Sequence, residues 1–141
     1  MINKQTKQLH KIYTDGSCLK NPDGPGGYAF AIIENNKLET IGYGSQPNTT
    51  NNRMELQAVI EALKFVKRNE YELYTDSQLT IKCATGEWRR KSNLDLWREY
   101  DNVIQGCKIH WKWVRAHNGN KYNELVDDIA REAATQSTLS T

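Results

Sequence analysis

Two tripeptides, Tyr13-Thr14-Asp15 and Tyr74-Thr75-Asp76, limit what this chain can fold into more than any other feature. Each closes an apolar or β-branched run. Each is followed by turn formers or a helix start, Gly16-Ser17 in one case and Ser77-Gln78 in the other. The pattern predicts two strands ending in an aspartate, and open α/β sheets bind ligands in the crevice beyond such strand ends. Neighbouring strands lie about 4.7–4.9 Å apart, so pairing these two would bring both carboxylates to one small site. Close carboxylates repel unless they share a proton or bind a cation. Oxygen-only ligands suit Mg²⁺ or Mn²⁺, so the echo points to metal-ion chemistry.

With 141 residues, the chain suits one domain around one core. No stretch approaches the roughly 18 apolar residues of a membrane span. Met1 to Gln8 is polar and lacks the hydrophobic run of a signal peptide. A cytoplasmic monomer with no membrane association is therefore expected. Cys18, Cys83 and Cys107 are odd in number and show no CxxC spacing, which argues against a disulfide framework or a structural zinc site. Net charge is +2, but its distribution is uneven. From Asp76 to Lys121 there are nine cations and five anions, leaving the rest of the chain net acidic. A basic half beside an acidic site fits a polyanionic substrate, although a solvated surface has the same composition.

Residues 1–8 read as a disordered or frayed extension, residues 9–135 as the domain, and residues 136–141 as a polar tail. Strands are predicted over Leu9–Asp15, Tyr28–Ile33, Leu38–Gly44, Tyr71–Thr75 and Lys108–Val114. Gly24-Pro25-Gly26-Gly27 reads as a turn, and Asn35-Asn36 as a hairpin signal. Leu56, Val59, Ile60 and Leu63 recur at i, i+3, i+4 and i+7, one face of a helix. Three more helices are expected at Ser77–Ala84, Leu94–Gln105 and Glu124–Ala134. The order is βββαβααβα, an α/β arrangement.

Glu55 heads the apolar face of the first helix, where an unpaired charge would be costly. In the last helix, Asp127 lies about 100° from the centre of the apolar face and Asp128 about 160°. Asp127 therefore takes the buried edge and the functional assignment, while Asp128 points to solvent. His117 follows Val114-Arg115-Ala116 in a polar loop, where an imidazole can move protons beside a carboxylate cluster.

These segments together resemble type 1 ribonuclease H, in a bacterial-type, short-handled form. The resemblance runs through Tyr13-Thr14-Asp15-Gly16-Ser17-Cys18-Leu19-Lys20-Asn21-Pro22 and Gly24-Pro25-Gly26-Gly27. It continues through Thr49-Thr50-Asn51-Asn52-Arg53-Met54-Glu55-Leu56, Thr75-Asp76-Ser77-Gln78 and Asn93-Leu94-Asp95-Leu96-Trp97. Trp113-Val114-Arg115-Ala116-His117-Asn118-Gly119 and Asn123-Glu124-Leu125-Val126-Asp127-Asp128-Ile129-Ala130 complete it. It implies a ribonuclease H-like fold with a mixed five-stranded sheet. It further implies hydrolysis of the RNA strand of an RNA–DNA hybrid by a two-metal-ion mechanism, with 5′-phosphate and 3′-hydroxyl products. The four metal-binding acids would be Asp15, Glu55, Asp76 and Asp127, with two Mg²⁺ per site and Mn²⁺ able to substitute. His117 would assist proton transfer or product departure. Asn21, Asn51, Asn52 and Gln78 would read the RNA 2′-hydroxyls, Thr50 and Asn93 would grip a DNA phosphate, and Trp88 would lie against DNA sugars. Capping and turn formation explain Asn51-Asn52 equally well at this stage. Between Asp76 and Trp97 the chain is too short for the long basic protrusion of many bacterial relatives. Trp88, Arg89, Arg90 and Lys91 stand in its place, which implies weaker and more salt-sensitive binding. Two other readings share the fold: a non-catalytic hybrid-binding module and a resolvase-like or integrase-like DNA nuclease.

Overall fold

The computed structural model describes residues 9–66 and 69–139. The expected N-terminal extension, residues 1–8, lies outside the described residues. Strands β1 (His10–Cys18), β2 (Gly24–Glu34), β3 (Lys37–Thr49), β4 (Glu70–Thr75) and β5 (Lys108–Trp113) form one sheet in the order β3-β2-β1-β4-β5. The first three strands run antiparallel, and β4 and β5 extend the sheet in parallel from β1. Helices α1 (Asn51–Phe65), α2 (Gln78–Ala84), α3 (Leu94–Val103) and α4 (Lys121–Leu139) complete the predicted order of elements.

The two faces of the sheet are packed differently. Ile12, Phe30, Ile32, Tyr71 and Leu73 meet Leu56, Val59 and Ile60 of α1 and Trp97 and Tyr100 of α3 in a core of large side chains. On the opposite face Tyr13, Ala29, Ala31 and Ile33 meet Val126 and Ala130 of α4. That second layer is thin because small residues let the helix approach. A Cβ on Gly27 would lie 2.3 Å from the Ala130 carbonyl oxygen and 2.5 Å from the Ala134 amide nitrogen.

This close approach explains one departure from the sequence expectation. Gly24-Pro25-Gly26-Gly27 is not a turn but the start of β2, with Gly27 opposite Ser17 and Gly26 opposite Cys18. Strand β1 consequently continues past Asp15 to Cys18. Asn35 and Asn36 do form the hairpin turn, both with φ in the left-handed region, at 54° and 63°. Strand β3 runs on to Thr49, through a polar segment that reads as loop, because the β2 backbone pairs with it as far as Gly24.

Helix α4 is longer at both ends than its apolar periodicity suggests. Asn120 caps its start, accepting from the Asn123 N–H at its side-chain Oδ1 (2.9 Å) and from the Glu124 N–H at its backbone carbonyl (3.0 Å). Its far end runs past Ala134, through residues placed in the polar tail, with Ser137 still buried. Among the described residues, no helix is long and apolar enough to cross a membrane.

Candidate active site

The echoed tripeptides face each other. Register pairs Tyr13 with Tyr74 in the parallel β1–β4 ladder, and their rings stack at 4.5 Å with an 11° interplanar angle. Tyr122 of α4 closes the group at 5.5 Å from Tyr13. Two residues beyond this pair lie Asp15, still within β1 on the face that α4 covers, and Asp76, the residue after β4.

Glu55 joins them from α1, just past its first turn. The helix starts there because the Thr50 hydroxyl accepts from the Arg53 N–H at 3.2 Å, with Thr50 in extended conformation. It comes close because residue 16 is glycine. A Cβ there would sit 2.3 Å from the Glu55 amide nitrogen and 2.4 Å from the Met54 carbonyl carbon. One carboxylate oxygen from each of Asp15, Glu55 and Asp76 lies within 4.8 Å of the other two.

Asp127 stands slightly apart. Its charge acts on Asp15 and on Asp76. Its Oδ2 also accepts from Arg131 Nη2 at 3.0 Å, and the same nitrogen reaches Asp128 Oδ1 at 2.5 Å. The Asp127 side chain is 19% exposed and that of Asp128 70%, as the helical-face argument predicts.

The cluster is electrostatically unfavourable on its own. Burial, followed by the Asp76 charge, pushes the Asp15 carboxyl up to about 8. Burial, then the Asp15 and Asp76 charges, raises Glu55 well above the usual carboxylate range, against the opposing Gly16 N–H. Burial and then Asp127 raise Asp76, while hydrogen bonding from Asn123 and the charge of His117 oppose the rise. Glu55 Oε1 is buried and meets no donor. Three close carboxylates, a bare buried oxygen and an all-oxygen donor set fit a hard divalent cation, which would replace the shared protons as the source of compensating charge.

His117 is exposed in the loop before α4, with φ at 55°. The predicted substrate residues fall into separate groups. Asn21 Oδ1 accepts from the Asn51 N–H at 3.0 Å, which joins the loop after β1 to the start of α1. Thr50 serves as the α1 N-cap. Asn52 and Asn93 line one cleft of about 120 Å³ with Arg89, Lys91 and Ser92. Asn93 takes φ 56° ahead of α3, and its Oδ1 accepts from Arg53 Nη1 at 3.2 Å. Gln78 lines a different cleft of about 270 Å³, with Ile81, Lys82, Trp111 and Trp113. Trp88 is 47% exposed, with the Lys82 ammonium 5.8 Å from its ring centre.

Arg90 differs from its neighbours in the short basic segment. It donates to the Cys83 carbonyl at 3.1 Å and to Asp101 at 2.8 Å, and lies over the Trp97 ring. It braces α2 against α3, leaving Arg89 and Lys91 on the rim. Cys18 is packed among the carbonyls of Lys20, Gly24 and Thr49, a donor's position rather than a nucleophile's. Asn123 received no role from the sequence, although it sits one helical turn before Asp127, a spacing that puts both on the same side of α4.

Comparison with known proteins agrees with this architecture. The RNase H family model matches residues 7–135. Ribonuclease H of Campylobacter jejuni strain 81-176 is 48% identical over 134 residues, covering 88% of this chain and 90% of the relative. Ribonuclease H of a Wolbachia strain from Drosophila simulans is 46% identical over 143 residues, covering 91% and 97%. Among solved structures, LC11-RNase H1 in complex with an RNA/DNA hybrid superposes with a TM-score of 0.78 at 22% identity, covering 92% of this chain and 99% of that one. The match spans the segments that carry Asp15, Glu55, Asp76 and Asp127, and on it the chain belongs to the RNase H family.

Proposed function

We propose that the protein hydrolyses the RNA strand of RNA–DNA hybrids at the Asp15–Glu55–Asp76–Asp127 centre, using two Mg²⁺ ions, with Mn²⁺ able to substitute. The convergence of three carboxylates on one point, with a buried Glu55 oxygen left without a donor, carries the reading. Divalent cations bound by these acids would supply water activation and Lewis-acid stabilisation of charge on the phosphate.

The chain's own residues supply the remaining functions. Asp15 within β1 and Asp76 just after β4 hold the site between two adjacent strands, and Glu55 closes it from α1. His117, in the loop beside Asp76, moves a proton to or from the departing product. Products with 5′-phosphate and 3′-hydroxyl ends follow from attack by water, with no protein nucleophile. Asn93, Arg89 and Lys91 form a cleft suited to a phosphate of the DNA strand, which Thr50 would also grip. Asn21, Asn51, Asn52 and Gln78 offer amides to RNA 2′-hydroxyls, which a DNA nuclease would have no use for. Trp88 presents an exposed ring to the sugars of the DNA strand. The protein acts as a cytoplasmic monomer.

The test is cleavage of a labelled hybrid in Mg²⁺, beside duplex DNA and duplex RNA of the same sequence. Cutting confined to the RNA of the hybrid supports the reading. Binding of hybrid without cleavage in Mg²⁺ or Mn²⁺ supports a non-catalytic module instead, and cleavage of duplex DNA a resolvase-like nuclease.

A further inference from the structure

We infer that Arg53 is a positioning residue for phosphate binding: it occupies the acceptor oxygens of Thr50 and Asn93, so that both side chains are left with donors to offer a phosphate of the DNA strand. The inference rests on the hybrid-binding reading above and adds a residue to it.

Thr50 and Asn93 are distant in sequence, and Arg53 touches both. Its backbone N–H donates to the Thr50 hydroxyl at 3.2 Å, and its Nη1 donates to Asn93 Oδ1, also at 3.2 Å. Neither a backbone N–H nor a guanidinium can accept, so the polarity of both contacts is fixed. The Thr50 hydroxyl is left with its O–H to give, and the Asn93 amide with the hydrogens of Nδ2. Phosphate oxygens need donors of that kind. Asn93 lines the cleft with Arg89, Lys91 and Ser92, whereas Arg53 is not part of its lining.

Capping does not explain the Asn93 contact. Thr50, Ser77 and Asn120 each accept from an N–H of the helix they begin, at 3.2, 3.1 and 2.9 Å. Asn93 begins α3 in the left-handed conformation, with φ at 56°, and its side chain makes no cap bond. Only its backbone carbonyl serves the helix, accepting from the Trp97 N–H at 3.0 Å. Its amide oxygen turns instead to α1. The guanidinium is held in turn by Asp95, at 3.0 Å through Nη1 and 2.8 Å through Nη2. A planar fork bonded through both tips keeps one orientation, and so fixes the amide that accepts from it. The same pairing neutralises the cation, so Arg53 acts through Asn93 rather than as a charge on the phosphate.

The test separates the fork from its charge. Arg53→Met with Asp95→Ala removes the fork at constant net charge, and the backbone N–H of residue 53 still caps α1 at Thr50. Asn93→Gly removes the amide, and glycine takes a positive φ without strain. A triple variant combines the three substitutions. Hybrid affinity is measured in chelator by anisotropy across a salt series, with melting temperature alongside and kcat and KM in saturating Mg²⁺. Asn93→Gly and the Arg53/Asp95 pair should each weaken hybrid binding about three- to tenfold. In the pair variant KM should rise by a similar factor while kcat and the salt slope hold. The triple variant should bind no worse than Asn93→Gly alone, because the fork then has nothing to orient. Additive losses would overturn the inference. So would a lowered melting temperature with unchanged hybrid affinity, which would leave the fork only a tie between α1 and α3. A salt slope smaller by about 0.9 in the pair variant would show Arg53 neutralising a phosphate itself, and would overturn it as well. Should the pair variant not fold, Arg53→Lys keeps the charge without the fork and carries the same readouts. Wild-type binding by Asn93→Gly would sink the phosphate cleft, and this role of Arg53 with it. Binding weakened in Asn93→Gly but intact in the pair variant would sink only the role of Arg53.

Discussion

The carboxylate centre and the cleft between α1 and α3 both draw on the first two turns of α1, Glu55 at the one and Asn52 and Leu56 at the other, yet they are built on opposite principles. At the centre, acids face acids. Asp15 is 3% exposed, and burial and close neighbours raise its carboxyl and those of Glu55 and Asp76 above the ordinary range. Beside the cleft, at its lining residue Asn93, charge meets countercharge. Arg53 forms a two-pronged pair with Asp95 at 3.0 and 2.8 Å, and its guanidinium holds the Asp95 carboxyl down at about 2. That pair is at rest as it stands, while the centre is at rest only with protons or cations added. On the proposed function, the strained centre is the place of chemistry and the cleft the place where a substrate backbone is received.

Replacing one acid should break this contrast most severely. Asp15→Asn removes the residue on which the other three converge. We expect hybrid cleavage to fall by about a thousandfold or more, measured as single-turnover rates in saturating Mg²⁺. The same substitution relieves repulsion, so the metal-free variant should melt higher than wild type at pH 8. Loss of activity accompanied by a lower melting temperature would count against the picture of a centre under strain.

Gly16→Ala attacks the same centre through packing. The new methyl would meet backbone of α1, which cannot rotate away as a side chain can. A loss of about 1–3 kcal/mol is expected in urea unfolding, with a parallel fall in cleavage as Glu55 is pushed from Asp15. Stability equal to wild type would mean that α1 can shift without cost.

Much of this arrangement is legible in the chain. The two aspartate-bearing strands, and the placing of Asp127 rather than Asp128 at the buried edge of α4, follow from local pattern alone, although β1 runs on past Asp15 to Cys18. Other parts depend on contacts distant in sequence. Gly24 to Gly27 has turn composition, but Gly27 admits α4, Gly26 the segment around Thr49 and Met54, and Gly24 the chain at Lys20. Strand β3 carries few apolar residues, so no periodicity marks its full length; its β2 pairing does. Arg90 looks like one of three equivalent cations, and only the fold shows it tied to Cys83, Asp101 and Trp97. Asn123 reads as loop polarity until the Asn120 cap moves the start of α4 ahead of it.

The pH dependence of stability sharpens the contrast without any mutation. The folded-state value for Asp15, about 8, lies above the ordinary carboxylate value of 3.8, so the native form binds more protons than the unfolded chain between them. Stability in chelator must then fall as pH rises through that window. Glu55 and Asp76 are displaced the same way and add to the fall. Asp95 is displaced oppositely, so its contribution is lost only on acidification, below about pH 4. We expect melting in chelator to drop by about 5 °C or more from pH 5 to pH 8, and Mg²⁺ to restore most of the drop. Calorimetry with and without metal checks both. A flat profile would show that the acids are not under mutual strain.

The smallest effect is expected at the cleft, and it differs in kind. Arg89 and Lys91 are exposed, so replacing both with Ala should leave stability within about 0.5 kcal/mol. The acids and their metal sites are untouched, so kcat should hold while KM rises. For each phosphate no longer neutralised, the slope of log affinity against log salt should shrink by about 0.9, measured by anisotropy of labelled hybrid across a salt series. Arg90→Ala is the control that makes the result informative. Its guanidinium is committed to Cys83, Asp101 and the Trp97 ring, so its removal should lower the melting temperature and leave the salt slope nearly unchanged. If instead Arg90→Ala changes the slope and the Arg89/Lys91 double variant does not, the substrate approaches over α3 rather than along the cleft. The division between a strained centre and a receiving surface would then have to be redrawn.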